Sequence, residues 1–271
     1  MRYYGYSPMI KNINSKHSKG YTIIELMIAA VLGLVLLLGV MQIYLASTQT
    51  NRLQAGAIEV QDRGRFLLAI IEKDLQRAGW RNFDTDQTKL LKYVNFSGSD
   101  NDTEGDGLYD SIQIEYDADD EDDLYGRDDD LLIDKVYNCG GTEVTRGITI
   151  SNQYVIDITD DNDALNCNSR EYLRGVDSFQ ILYGVDNNVP QDGIIDGYMD
   201  ADQINANTSF QTKVIAVRIG FLLRSSPNIL DVGQRNINKY QVLDVPFTAP
   251  GDRKLRRLFT KTIMLPNHPL N

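Results

Sequence analysis

Residues 19–40 read KGYTIIELMIAAVLGLVLLLGV, a long apolar stretch close to the N-terminus of the chain. Residues 26–41 contain no strongly polar side chain, and Gln42 alone interrupts the extension to Ala46. About 20 such residues in a helix cross the hydrocarbon core of a bilayer. The stretch therefore predicts a membrane helix, even though it carries Glu25 near its start, where carboxylates are rare and usually functional.

The segment before this helix is basic. Residues 1–20 hold four basic side chains and no acid, so removing the segment would take the formal net charge from −11 to about −15. Positive flanks stay on the cytoplasmic side, which predicts a cytoplasmic N-terminus and a domain beyond the inner membrane. A chain this acidic repels phosphates, and we expect no direct nucleic-acid binding. A secretory signal fits poorly, because its apolar region would be shorter. A plain membrane anchor is the simplest alternative.

Beyond the apolar stretch, the helix is predicted to continue as an amphipathic one. Apolar or small residues recur at three- and four-residue spacing on one face, namely Leu53, Ala57, Val60, Gly64, Leu67, Ile71, Leu75 and Ala78. The charged residues, with Asp74 among them, are assigned to the other face. We expect Gly33, Gly39, Gly56 and Gly64 to soften the helix locally. The pattern predicts one helix from Tyr21 to Ala78, ended by Gly79.

The remainder is predicted to be mostly β, in strands separated by Asp, Gly and Asn clusters. Its strand candidates are 111–116, 131–137, 147–150, 154–158, 176–183, 214–223, 240–245 and 258–265. The amphipathic half-helix and an antiparallel sheet each have one apolar face to bury. The expected fold class is therefore α+β, with a long N-terminal helix packed on an antiparallel β-sheet domain.

The residues around the start of the helix carry a resemblance to a known family. Residues 19–26, KGYTIIEL, resemble the prepilin motif of type IV pilins and of type II secretion pseudopilins. The resemblance implies that a prepilin peptidase cuts between Gly20 and Tyr21 and that Tyr21 is then N-methylated. It also implies that Glu25 acts in assembly, by pairing with the freed amine of a neighbouring subunit. Most members of the family have Phe at the position of Tyr21.

Further segments are similar to the PilW family of minor pilins. They are residues 64–68 (GRFLL), 74–80 (DLQRAGW), 214–224 and 255–263. The resemblance implies a pilin-like fold, a leader at 1–20, a filament-core helix at 21–50, its amphipathic second half at 51–80 and a periplasmic or extracellular domain at 81–271.

The same resemblance implies a role and a set of partners. The role is that of a minor pilin in the tip complex that initiates a type IV pilus. The implied partners are the prepilin peptidase, other minor pilins, the major pilin, the assembly platform and a tip adhesin. A minor pseudopilin of a type II secretion system, which shares the N-terminal motif, is the alternative, and an exported enzyme is a third.

Two cysteines and two acidic loops are the remaining candidate sites. Cys139 and Cys167 predict one disulfide in an exported domain, or two thiols in a cytosolic setting. The first loop offers alternating oxygen ligands for Ca²⁺ from Asp102, Glu104, Asp106 and Asp110. The second, residues 186–196, matches a calcium loop less well, and tight turns between strands explain both loops equally simply.

The remaining sequence features are an acidic run, a basic cluster and a scarcity of histidine. Residues 117–130 contain nine acids and are expected to form a solvated loop. A basic cluster could pair with an acidic neighbouring subunit or simply line a solvent-exposed strand edge. Its members are Arg253, Lys254, Arg256 and Arg257. Cleavage after Gly20 would leave His268 as the sole histidine. Nucleophile–histidine catalysis and zinc sites are therefore disfavoured, whereas a carboxylate pair stays open by composition alone.

Overall fold

The computed structural model describes residues 20–80, 94–95, 109–117, 136–144, 149–157, 163–231 and 233–267. The helices are α1 (Ile23–Arg77), α2 (Ala201–Ala206) and α3 (Thr208–Gln211). The strands are β1 (Val94–Asn95), β2 (Ile112–Asp117), β3 (Val136–Tyr137), β4 (Glu143–Val144), β5 (Thr149–Asp157), β6 (Ala164–Cys167), β7 (Arg170–Arg174), β8 (Val176–Val185), β9 (Gly197–Met199), β10 (Val214–Arg224), β11 (Lys239–Val242), β12 (Val245–Thr248) and β13 (Arg256–Met264).

The predicted fold class is confirmed, with two main sheets in place of one. A five-stranded sheet has the order β1-β2-β5-β6-β7, and a four-stranded sheet has the order β13-β10-β8-β9. All pairings are antiparallel. The chain divides into two compact units, Met1–Thr50 and Asn51–Asn271. The second unit contains both sheets and the C-terminal half of α1.

Several predicted strands have different limits in the structure. The candidates at 147–150 and 154–158 fall in one nine-residue strand, β5. The polar residues between the two candidates are part of this extended strand and do not form a turn. The candidate at 240–245 contains the turn of the β11–β12 hairpin, with Leu243 at a φ of 53°. The β6–β7 hairpin was not predicted, since its Asn-Ser turn interrupts two short, partly polar strands. Residues 131–135 lie outside the described part of the chain.

The second half of α1 packs into the core through the predicted face. Val60, Leu67, Ile71 and Leu75 are fully buried in one cluster with apolar residues of both sheets. Gly64 admits a close contact, because a Cβ there would lie 2.2 Å from Cζ of Phe259, whose ring stacks on Phe221 at 5.3 Å.

The end of α1 is fixed by backbone and side-chain hydrogen bonds. Gly79 has a φ of 73°, as expected for the residue that ends a helix in the left-handed conformation. Its N–H donates to the carbonyl of Glu115 on β2 at 2.9 Å. The Asn267 amide donates to the carbonyls of Gln76 and Ala78 at 3.3 and 3.1 Å, which satisfies acceptors that the helix itself leaves open.

Asp74 is buried, and the sequence assignment of this residue to the charged outer face is wrong. Its Oδ2 accepts the Tyr154 hydroxyl at 2.6 Å and the Asn152 amide at 2.8 Å, both from β5. Burial, and then the charge of Asp74, raise the pKa of the Tyr154 phenol, which therefore stays protonated and donates. A buried carboxylate is tolerated when its oxygens are hydrogen-bonded, so Asp74 fastens α1 to the five-stranded sheet.

Asp74→Ala is predicted to destabilise the second unit by roughly 2–5 kcal/mol, because it leaves the Tyr154 hydroxyl and the Asn152 amide buried without their acceptor. Urea denaturation of the full chain in detergent, followed by tryptophan fluorescence, measures the change. Asp62→Ala, on the exposed face of the same helix, serves as the control and should change the free energy of unfolding by less than about 0.5 kcal/mol. Equal losses in the two variants would contradict the anchoring role.

Candidate functional site at the N-terminal helix

The start of α1 is closed by a capping box between Thr22 and Glu25. The Thr22 N–H donates to Oε2 of Glu25 at 3.0 Å, and the Thr22 hydroxyl donates to the same oxygen at 3.1 Å. The Glu25 N–H donates in return to Oγ1 of Thr22 at 3.3 Å. Two N–H groups that the helix leaves unsatisfied thereby find partners.

The capping box gives Glu25 a local structural role that the sequence interpretation missed. The signal was present, since Thr22-Ile23-Ile24-Glu25 has the Thr-x-x-Glu spacing of a capping box. Gly20 and Tyr21, the predicted cleavage pair, lie just before this box and are exposed, Tyr21 to 89%. The predicted cleavage pair and the predicted assembly residue are thus within six consecutive residues at the beginning of the helix.

The apolar half of α1 is exposed on all sides. Its large apolar side chains between Ile23 and Leu45 have exposed fractions from 54% to 83%. Among the described residues α1 is the one helix long and apolar enough to cross a membrane. Burying a large aliphatic side chain is worth roughly 1.5–3 kcal/mol, so exposure of this segment to water is strongly unfavourable. The segment therefore requires lipid or other helices around it.

The predicted disulfide is formed. Cys139, in the turn between β3 and β4, is bonded to Cys167 at the end of β6, with the two Cα atoms 5.8 Å apart. The Cys139 N–H donates to Oδ1 of Asn152 at 2.9 Å. Because the amide of Asn152 holds Asp74, the disulfide also supports the orientation of the side chain that anchors α1.

The first acidic loop lies almost entirely outside the described residues. This holds for Asp102, Glu104 and Asp106. Asp110 is described, and its Oδ2 accepts the N–H of Ile181 at 2.6 Å, so this carboxylate supports the edge of β8. Calcium binding by this loop stays a prediction.

In the second acidic loop the carboxylates fold the loop itself. Asp186 accepts the Gly193 N–H at 2.8 Å, and Asp196 accepts the Asn187 N–H at 2.7 Å. Asp192 accepts the Ile194 N–H at 2.9 Å. Over the described ranges, no group of three or more His, Cys, Asp or Glu residues is arranged to hold a metal ion.

The basic cluster at residues 253–257 is not a continuous surface patch. Arg256 has a side chain 1% exposed, and its Nε lies 2.6 Å from Oδ2 of Asp177. Its two terminal nitrogens contact both oxygens of Asp252 at 2.5 and 2.7 Å. These hydrogen bonds from Arg256 are the main cause of the lowered pKa of Asp252. The sequence placed Arg256 on a surface because a buried arginine cannot be recognised without its partners.

Further contacts of Arg224 and Arg253 extend this network within the domain. Arg224 also pairs with Asp177, and its second partner is Asp163 at 2.7 Å. Arg253 donates through Nε to the carbonyl of Leu230 at 2.7 Å. The network joins the ends of β8, β10 and β13, so its role is to fix the four-stranded sheet.

Arg256→Ala is predicted to lower the free energy of unfolding by about 3 kcal/mol, because Asp177, only 3% exposed, loses one of its two cationic partners. Arg257→Ala is the matched control. Its side chain is exposed, and the change should cost less than about 1 kcal/mol. Chemical denaturation of both variants tests the difference, and similar costs would show that the two arginines are equivalent surface residues.

Two family models match the chain. The model described as Type IV Pilus-assembly protein W (PilW) matches residues 150–267. The Prokaryotic N-terminal methylation motif matches residues 15–41, which include the capping box and the predicted cleavage pair. The chain is therefore similar to PilW over residues 150–267 and carries an N-terminal methylation motif.

Comparison with other proteins adds little to this assignment. No curated protein matches the sequence. Among solved structures, the chain is similar to the type IV-like pilin TTHA1219 from Thermus thermophilus, with 14% identity and a TM-score of 0.42. The similarity covers 78% of this chain and 98% of that one.

Proposed function

We propose that this protein is a minor pilin that enters a type IV pilus as part of the complex that primes assembly at the tip. Prepilin peptidase cuts between Gly20 and Tyr21, and Tyr21 becomes N-methylated. Before assembly the protein is held in the inner membrane by α1, with its N-terminus in the cytoplasm and the second unit in the periplasm. The exposed apolar half of α1 is the observation that carries the proposal, because that segment needs partners after it leaves the lipid.

In this proposal, the charge of Glu25 favours the transfer of α1 from the membrane into the filament. In the membrane-held protein, its carboxylate is stabilised by the N–H and hydroxyl of Thr22. A carboxylate near the edge of a bilayer still costs free energy, up to roughly 2.5–3.5 kcal/mol at the centre. Pairing with the freed Tyr21 amine of a neighbouring subunit offsets that cost, and it makes the filament more favourable than the lipid for this helix.

The capping role and the charge role of Glu25 can be separated by two substitutions. Glu25→Gln keeps a side chain that accepts the capping hydrogen bonds but removes the charge. Glu25→Ala removes both. If the charge drives assembly, both variants are cut after Gly20 and both fail to appear in sheared filaments. Immunoblots of membrane and filament fractions measure this, and wild-type incorporation of Glu25→Gln would refute the charge role.

A deletion strain distinguishes the proposed function from its alternative. Loss of surface pili with normal exoprotein secretion is expected for a minor pilin of the initiating complex. Loss of secretion with normal pili would identify a minor pseudopilin of a type II secretion system, which uses the same N-terminal motif. Complementation with the wild-type chain controls for effects on neighbouring genes.

A further inference from the structure

The outward face of the second half of α1 is basic, although its sequence is nearly balanced. Residues 51–77 contain five basic and four acidic side chains. Three of the acids are held by the protein's own domain. Glu59 accepts the Ser226 hydroxyl at 2.6 Å and pairs with Arg63, Glu72 pairs with Lys261, and Asp74 is buried. The fourth, Asp62, is the sole exposed acid of this segment.

The exposed basic and apolar residues form one surface. At about 100° per residue, Ile58, Arg65, Phe66, Lys73 and Arg77 all point within about 60° of the direction of Asp62. Ile58 is 59% exposed and Phe66 is 55% exposed, so two large apolar side chains lie among the charged residues of this surface. We call these five residues and Asp62 the basic helix face.

The rest of the protein carries the opposite charge. After removal of residues 1–20 the formal net charge is about −15, and residues 117–130 alone contain nine acids. The loop and helix around 192–202 add Asp192, Asp196 and Asp202, all exposed. A subunit of this kind therefore combines one basic face with an acidic remainder, and such surfaces attract each other between molecules.

We propose that the basic helix face docks onto the acidic surface of a second copy of this chain. Phe66 and Ile58 supply the apolar centre of the contact, and Arg65 and Lys73 pair with carboxylates around it, an arrangement typical of binding hot spots. The inference rests on the proposed function and specifies which surface of the domain meets the next subunit. It moves the basic docking surface from residues 253–257, where Arg256 is buried, to α1.

The test is photo-crosslinking from position 66 of the full chain in cells. A photoreactive amino acid replaces Phe66, and adducts are identified by mass spectrometry. We expect a subunit–subunit adduct that maps to an acidic peptide. The charge reversal Arg65→Glu/Lys73→Glu should reduce its yield at least tenfold. The matched control is Arg235→Glu/Lys239→Glu, two exposed basic residues elsewhere on the domain, which should leave the yield unchanged.

Folding and charge are separated by two further measurements. Cleavage after Gly20 and protease resistance of the domain must match the wild type in each variant. In isolated membranes with the unmodified charges, the adduct yield should fall as salt is raised from about 50 to about 500 mM, because exposed charges are then screened. This second measurement decides the issue if the charge-reversed chain is degraded.

Three results would overturn the docking surface: an adduct to lipid alone, an adduct yield insensitive to both charge reversal and salt, or no adduct although the protein is present in filaments. If pili form normally without the protein, the proposed function itself fails. If pili depend on the protein and the adduct is insensitive to charge, the docking surface alone is wrong.

Discussion

The apolar half of α1 is the constraint on which the rest of the protein depends. Its large side chains between Ile23 and Leu45 are more than half exposed, and at roughly 1.5–3 kcal/mol for each such residue they cannot stay in water. Lipid satisfies them before assembly, and neighbouring helices satisfy them in the proposed filament. In the proposed mechanism, Glu25, held by Thr22 in the capping box, is the polar group that makes these two environments unequal.

The other half of α1 is held firmly by its own domain. Apolar packing around Leu67 and Ile71 supplies most of the contact, and polar groups fix its orientation. Asp74 receives two hydrogen bonds from β5, and Lys261 of β13 pairs with Glu72. The helix is thus fastened to both sheets, and the disulfide at Cys139 supports the Asn152 side chain that reaches Asp74.

Periodic features were predictable from the sequence. The helix, its buried face and the alternating or continuously apolar strands, such as β2, β8 and β10, follow from residue spacing. Features that depend on partners distant in the chain were not predictable. Asp74 and Arg256 look like surface charges until Tyr154 and Asp177 are placed beside them. The short β6–β7 hairpin has too few apolar residues to show a pattern, and the resemblance at residues 19–26, rather than periodicity, indicated the function.

The central claim is that the apolar half of α1 ends up among the helices of a filament after the leader is removed. Mass spectrometry of sheared, washed pili measures this most directly. The account predicts a peptide from this chain that begins at an N-methylated Tyr21, in the filament fraction. Detection of the protein in the membrane fraction alone, in cells whose pili are intact and purified, would contradict it.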